Sequence, residues 1–449
     1  MPILKGFMVP HPPLAVSEVG RGDEKQIKAT LDAFHRVGKE IAALKPDTII
    51  LTSPHSVMYS DFFHISPGRA AEGDFSGFGA GKVSFHVSYD EAFTGMLQKR
   101  ADRIHFPAGT FGERKPALDH GTMVPLYFID QYYTDYKLVR IGLSGLPLET
   151  HYQFGRLIRS VNEALGRRSV FIASGDLSHC QKEDGPYGYK PEGPRYDERL
   201  MEVMSRAAFQ ELLDFDEHFL QKSEECGHRS FVIMGGVFDH IGVTAEILSH
   251  EATFGVGYGI GIFTPKAADH GSAEVRAAGK SSDPLVALAK ETVDAYVKTG
   301  KKPGDSPVQS PLFKDRAGAF VSIHEFGMLR GCIGTISAVY PNLKEEIREN
   351  AVSASTADPR FSPITEDELD DLDINVDVLS PAEPIDSMEK LDVKRYGVIV
   401  ENGYRRGLLL PDLEGVDTVS EQVSIARRKA GIGPDEKVRL YRFEVVRHV

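Results

Sequence analysis

The sequence predicts an α/β sandwich with a largely parallel central sheet over residues 1–266, followed by a mixed α+β domain over residues 284–449. Three observations predict it. Apolar strands alternate with helix-spaced segments in the first part, residues 267–283 break that pattern, and the second part is strand-rich without a βαβ repeat. A chain of 449 residues also exceeds what one hydrophobic core ordinarily serves, so two domains are expected.

The elements follow in order. Ile3 to Val9 is a short apolar strand ended by Pro10-His11-Pro12-Pro13, and Glu24 to Leu44 carries Ile27, Leu31, Phe34, Val37 and Ile41 at helical spacing. Thr48 to Ser53 is a second strand, stopped at Pro54-His55. Leu138 to Leu143 is a third, a helix surrounds Tyr152 to Leu165, and Ser169 to Ser174 is a strand running into Gly175-Asp176-Leu177-Ser178-His179. Phe254 to Phe263 reads as the closing strand. Residues 267–283 are small and polar, as an interdomain linker is. A helix then starts at Pro284, with strands expected at Ala319–Ile323, Leu329–Ile336, Ile374–Leu379 and Gly397–Glu401.

Composition narrows the function. No run of about 18 apolar residues occurs and no basic, then apolar leader opens the chain, so the expectation is a cytoplasmic protein without a membrane span. A net charge of −13 disfavours broad binding to nucleic acid or anionic lipid. Three cysteines, Cys180, Cys226 and Cys332, lie far apart with no C-x-x-C, which excludes a disulfide framework and a thiolate cluster. Any metal would therefore be held by histidine and carboxylate.

Of sixteen histidines, four fall where ligands bind in open sheets, outside the carboxyl ends of strands. His11 follows the first strand, His55 the second, and His179 the strand ending at Ser174; His120, in Leu118-Asp119-His120-Gly121-Thr122, precedes an apolar helical stretch. A carboxylate beside a histidine fixes its tautomer and raises its basicity. His35, His64, His86, His105, His151, His218, His240, His250 and His270 read as ordinary core or surface residues.

Pro10-His11-Pro12-Pro13, Ser53-Pro54-His55-Ser56, Asp119-His120-Gly121 and Gly175-Asp176-Leu177-Ser178-His179, in that order, resemble the class III extradiol ring-cleavage dioxygenases of the LigB superfamily. The resemblance implies Fe(II), with Zn or another divalent metal as the alternative, held by His11, His55 and a late glutamate. Glu225, in Ser223-Glu224-Glu225-Cys226-Gly227-His228, is the expected glutamate and Glu224 its substitute. His179 would be the base and His120 a hydrogen-bonding partner of substrate or oxygen. The Memo proteins of the same superfamily imply another set: His11, His55 and His179 as ligands, with Cys226 beside the metal. Both sets stay open at this point.

Leu329-Arg330-Gly331-Cys332-Ile333-Gly334-Thr335, with Asp358-Pro359-Arg360-Phe361-Ser362-Pro363, Val378-Leu379-Ser380-Pro381 and Arg406-Gly407-Leu408, resembles the AMMECR1 family, which implies a fold and no settled reaction. Cys332 beside Arg330 could be a thiol of lowered pKa or a packed strand residue. His324, Arg360 and Arg406 complete the polar candidates of that half. Together the halves resemble the AmmeMemoRadiSam grouping, which implies a radical-SAM protein as a separate partner. The expected function is an extradiol-type dioxygenase acting on a catechol-like small molecule with O2. The alternatives are a Memo-like metal-binding protein and a metal-dependent hydrolase. A homo-oligomer is also compatible with the sequence.

Overall fold

The computed structural model describes residues 3–112, 117–266, 283–304, 306–413 and 416–449. The chain divides into two compact units, Met1–Arg276 and Ala277–Val449. The expected linker at 267–283 lies outside the described residues except for Asp283, as does His270.

The first unit is built on a six-stranded sheet in the order Lys137–Gly142, Thr48–Ser53, Ser169–Ser174, Lys5–Val9, Tyr258–Pro265 and Val243–Glu251. The first four strands pair in parallel, and the last two are antiparallel to their neighbours. The expectation of a largely parallel sheet thus holds for its central and one outer part and fails at the other edge. Val243–Glu251, which escaped the sequence reading, alternates half-buried and exposed residues, the pattern of an edge strand covered on one face. Thr48–Ser53 and Ser169–Ser174 are buried at every position, as strands covered on both faces must be.

Alternate residues of these strands feed two layers. Ile49, Leu51, Val170 and Ile172 join Phe34, Val37 and Ile41 of helix Lys28–Leu44 and Val124 and Phe128 of helix His120–Ile129 in one core. Helix His228–Val237 packs on strand Ser169–Ser174 and against helix Leu148–Leu165. A layered α/β architecture results, and no described helix is long and apolar enough to cross a membrane.

The second unit has a seven-stranded, wholly antiparallel sheet. Helices Pro284–Thr299 and Leu343–Thr356 bury Leu285, Leu288, Val293, Ile347 and Ala351 against Val321, Ile323 and Val376. Helix Val419–Lys429 covers Val398, Val400 and Leu409.

Candidate metal centre

Three neighbouring parallel strands end together: Val9 pairs with Ser174, and Thr52 with Ala173. Pro10 and Pro54 cannot continue the ladders, so His11, His55 and the loop from Gly175 leave the sheet side by side. His120 arrives differently, as the first residue of helix His120–Ile129. Asp119 caps that helix by accepting from the Thr122 N–H at 3.0 Å, and the same carboxylate accepts the Ser53 hydroxyl at 2.5 Å. The cap therefore ties the helix start to the second strand's end. Ring centres lie 4.8 Å apart for His11 and His55, 4.0 Å for His55 and His120, and 5.4 Å for His11 and His120.

His11 is 1% exposed, and its tautomer follows from the hydrogen-bond network. The Ser174 hydroxyl donates to the Gly121 carbonyl at 2.6 Å, so its oxygen accepts from His11 Nδ1, 2.9 Å away. The proton is on Nδ1 and the Nε2 lone pair faces the site. His55 Nε2 lies 3.0 Å from that lone pair, and Cys226 Sγ 3.6 Å from it. Two imidazole nitrogens at metal–ligand length from one ion stand about 2.9 Å apart at a right angle and about 3.3 Å at the tetrahedral angle. A nitrogen and a thiolate stand about 3.6 Å apart at the tetrahedral angle. The donor atoms fit a transition metal.

Cys226 is placed by backbone contact. A Cβ on Gly175 would come within 2.1 Å of Gly227 Cα, so the two loops touch main chain to main chain. The Asp176 N–H then reaches Cys226 Sγ at 3.3 Å, and the Cys226 N–H reaches the Asp176 carbonyl at 3.4 Å. Two overlapping donor groups result, His11 with His55 and Cys226, and Asp176 with His179 and Cys226; within each, all ligand atoms lie within 4.8 Å of one another. Burial, then the Asp176 and Glu225 carboxylates, holds the Cys226 thiol well above its usual range. Cation binding reverses that preference, because a coordinated thiol is deprotonated.

The expected ligand Glu225 is not in either group. Its carboxylate accepts the His228 N–H at 2.6 Å at the start of helix His228–Val237, and burial pushes its pKa up to about 7. Glu224 is paired with Lys190 instead. The carboxylate that does approach the pair is Asp176, whose Oδ1 accepts the His11 N–H at 2.7 Å and whose Oδ2 lies 3.9 Å from His11 Nε2. Burial raises its pKa to about 7. Asp176 was visible in the Gly175–His179 motif, but nothing in the sequence separates a strand-end aspartate that faces a site from one that only caps a turn.

Burial is the largest cause lowering the pKa of all four site histidines, to about 4 for His120 and His179. His11 and His120 are lowered further by their histidine neighbours, while Asp119 opposes the shift at His55 and His120. All four are thus uncharged at neutral pH and present lone pairs. His250, read as ordinary, has a supporting place: it pairs at 2.8 Å with the buried Asp197, which accepts the N–H of Ser178, next to His179.

In the second unit the polar candidates are engaged with one another. Arg330 is 2% exposed and forms a two-point pair with Glu368, at 2.6 and 3.2 Å, while donating to the carbonyls of Ser362 and Pro363. Its guanidinium is committed there, so of the two readings of Cys332 the packed strand residue has geometric support and the thiol activated by Arg330 has none. The Cys332 N–H donates to Asp358, which also binds Arg360, and its Sγ accepts from Ser322 at 3.3 Å. His324 is half-buried in strand Gly318–Glu325, and Arg406 is exposed in strand Arg405–Leu409.

Comparison with known proteins matches residues 5–261 to the family described as the catalytic LigB subunit of aromatic ring-opening dioxygenase, and residues 286–448 to AMMECR1. A Clostridium acetobutylicum protein is 39% identical over 473 aligned positions, covering 99% of each chain. A Thermotoga maritima protein is 55% identical over 169, covering 37% of this chain and 97% of its own. Among solved structures, an uncharacterized Pyrococcus horikoshii protein shares 34% identity over 36% of this chain and 88% of its own, with a TM-score of 0.34.

Proposed function

From the premise that this chain belongs to the family of the LigB catalytic subunit of aromatic ring-opening dioxygenases and carries an AMMECR1 domain after it, we propose that the first unit is a thiolate-bearing metal centre that takes the cysteine of the Memo-like alternative as a ligand in place of its third histidine, His179, which groups with Asp176 and Cys226 instead of with His11 and His55. His11, His55 and Cys226 hold the ion, with Asp176 at its edge. The observation that carries this is the position of Cys226 Sγ, 3.6 Å from His11 Nε2, while the Glu225 carboxylate is taken up by the His228 N–H. Two imidazoles and a thiolate suit iron, copper or zinc.

Iron or copper bound there would supply one-electron exchange with oxygen and with a coordinated substrate hydroxyl. The protein's own part is to orient and to move protons. Ser174 keeps the Nδ1 proton of His11 away from the ion, and Asp119 anchors the start of the helix that carries His120. His179 and His120, uncharged at neutral pH, accept a proton from a substrate hydroxyl or hydrogen-bond the coordinated atoms. A small molecule with a catechol-like pair of hydroxyls suits this arrangement. A radical-SAM protein, encoded separately, is the partner in this reading, since the three cysteines are dispersed.

Elemental analysis of anaerobically purified protein tests the centre. Stoichiometric iron or copper, lost in Cys226→Ser and kept in Glu225→Gln, supports it; metal kept in Cys226→Ser and lost in Glu225→Gln restores the two-histidine, one-glutamate set of the ring-cleaving enzymes. Oxygen uptake on a catechol panel supports oxygenase chemistry. Stoichiometric zinc with oxygen-independent turnover supports hydrolysis instead.

A further inference from the structure

We propose that Phe78 and Tyr187 are the substrate-holding walls of this site, taking a planar ring by its faces; the inference rests on the metal-centre reading for where the ring's reacting end lies. Both residues are large and exposed, Phe78 at 41% and Tyr187 at 54%. Each lies against one of the two histidines outside the His11, His55 and Cys226 set. The Phe78 ring meets His120 edge-on at 5.5 Å, and the Tyr187 ring lies over His179 at 5.0 Å with 31° between planes.

A single exposed aromatic residue needs no explanation. Two that border the same set of imidazoles do, because each leaves a π face in water that a ligand's ring can cover. Their presentation is also fixed by backbone. Phe78 ends the short 3-10 turn Ser76–Phe78, closed by a Gly79 N–H to Ser76 carbonyl bond at 3.0 Å. Tyr187 sits between Gly185 and Gly188, whose N–H groups donate to Lys182 and Gly185 at 3.1 and 3.2 Å. Gly79 and Gly188 adopt φ of 77° and 73°, which residues carrying a Cβ rarely adopt. The same loop is latched at Lys190 to Glu224, two residues before Cys226. The rings are thus held in place by turns and not by burial.

The chain contains no tryptophan, so Tyr187→Trp puts a single indole at the proposed wall. Its emission is titrated with catechol and with cis-1,2-cyclohexanediol, which has vicinal hydroxyls and no π face, in metal-loaded and metal-stripped protein. Saturable quenching by catechol and none by the saturated diol is expected. Phe78→Ala and Tyr187→Ala should each weaken catechol binding by about threefold to tenfold, with metal content unchanged and binding restored by Phe78→Tyr. Equal response to the two diols, no saturable quenching in either form, or wild-type catechol affinity in both alanine variants would overturn the inference. Failure of the metal centre shows separately, as absent metal in the same wild-type samples, and the metal-stripped titration still decides the stacking.

Discussion

The site in the first unit and the Leu329–Thr335 region of the second are both dense in motif residues, yet their polar atoms are in opposite conditions. Around Arg330 every charge is met: the guanidinium by Glu368 and two carbonyls, and Asp358 by Arg360 and a backbone N–H. Around His11 the Nε2 atom, the Cys226 sulfur and His55 Nε2 converge on one another, at 3.6 and 3.0 Å from His11 Nε2, while Ser174 and the Asp176 N–H hold the first two from behind. A region whose donors and acceptors are spent on each other is built to hold shape. One whose lone pairs converge is built to hold something else.

Breaking each region should therefore have a different readout. The largest stability effect is expected for Arg330→Met, which leaves Glu368 charged and buried at a cost of about 3 to 5 kcal/mol; chemical denaturation should show it, with metal content unchanged. If Arg330→Met instead alters bound metal, the two regions are not separable as argued. Cys226→Ser or His11→Ala should lower metal affinity beyond the roughly 10- to 100-fold that loss of an outer partner costs, and Ser174→Ala by an amount within that span. Competition with a chromogenic chelator measures all three.

The carboxylates carry the same contrast into pH dependence. Asp358 is lowered to about 2, chiefly by its hydrogen bond from Arg360. Its folded pKa is below the unfolded value, so its stabilisation is present above about pH 4 and is lost as pH falls toward 2. Asp130, at the end of helix His120–Ile129, is raised to about 6 by burial, although Tyr136 donates to it at 2.7 Å. There the folded state holds the extra proton, so stability falls as pH rises from about 4 to 6. Asp130→Asn should flatten that limb and Asp358→Asn the acid one, as followed by urea midpoints. The smallest effect is expected for Glu225→Gln, which keeps an acceptor for the His228 N–H and should cost no more than about 1 kcal/mol.

What the sequence revealed of this arrangement follows from range. Thr48–Ser53 and Ser169–Ser174 were legible to the residue because β-branched, apolar runs end at proline or glycine. His11, His55, His120 and His179 were legible because strand ends and a helix cap are local signals. The antiparallel edge was not, since pairing direction depends on partners distant in the chain. Between Glu225 and Cys226 the sequence left the choice open. The two are adjacent, and which one faces the histidines is decided by the turn at Glu224, with φ of 51°, and by the contact of Gly227 with Gly175.

That last contact makes the loop after Ser174 and the loop before His228 a single mechanical part. Asp176, His179 and Cys226 cannot be repositioned separately, since a side chain at either glycine would separate both loops by the width of a methyl group. Transplanting the centre to another parallel sheet would accordingly require moving two segments that lie 50 residues apart as one block, glycines included.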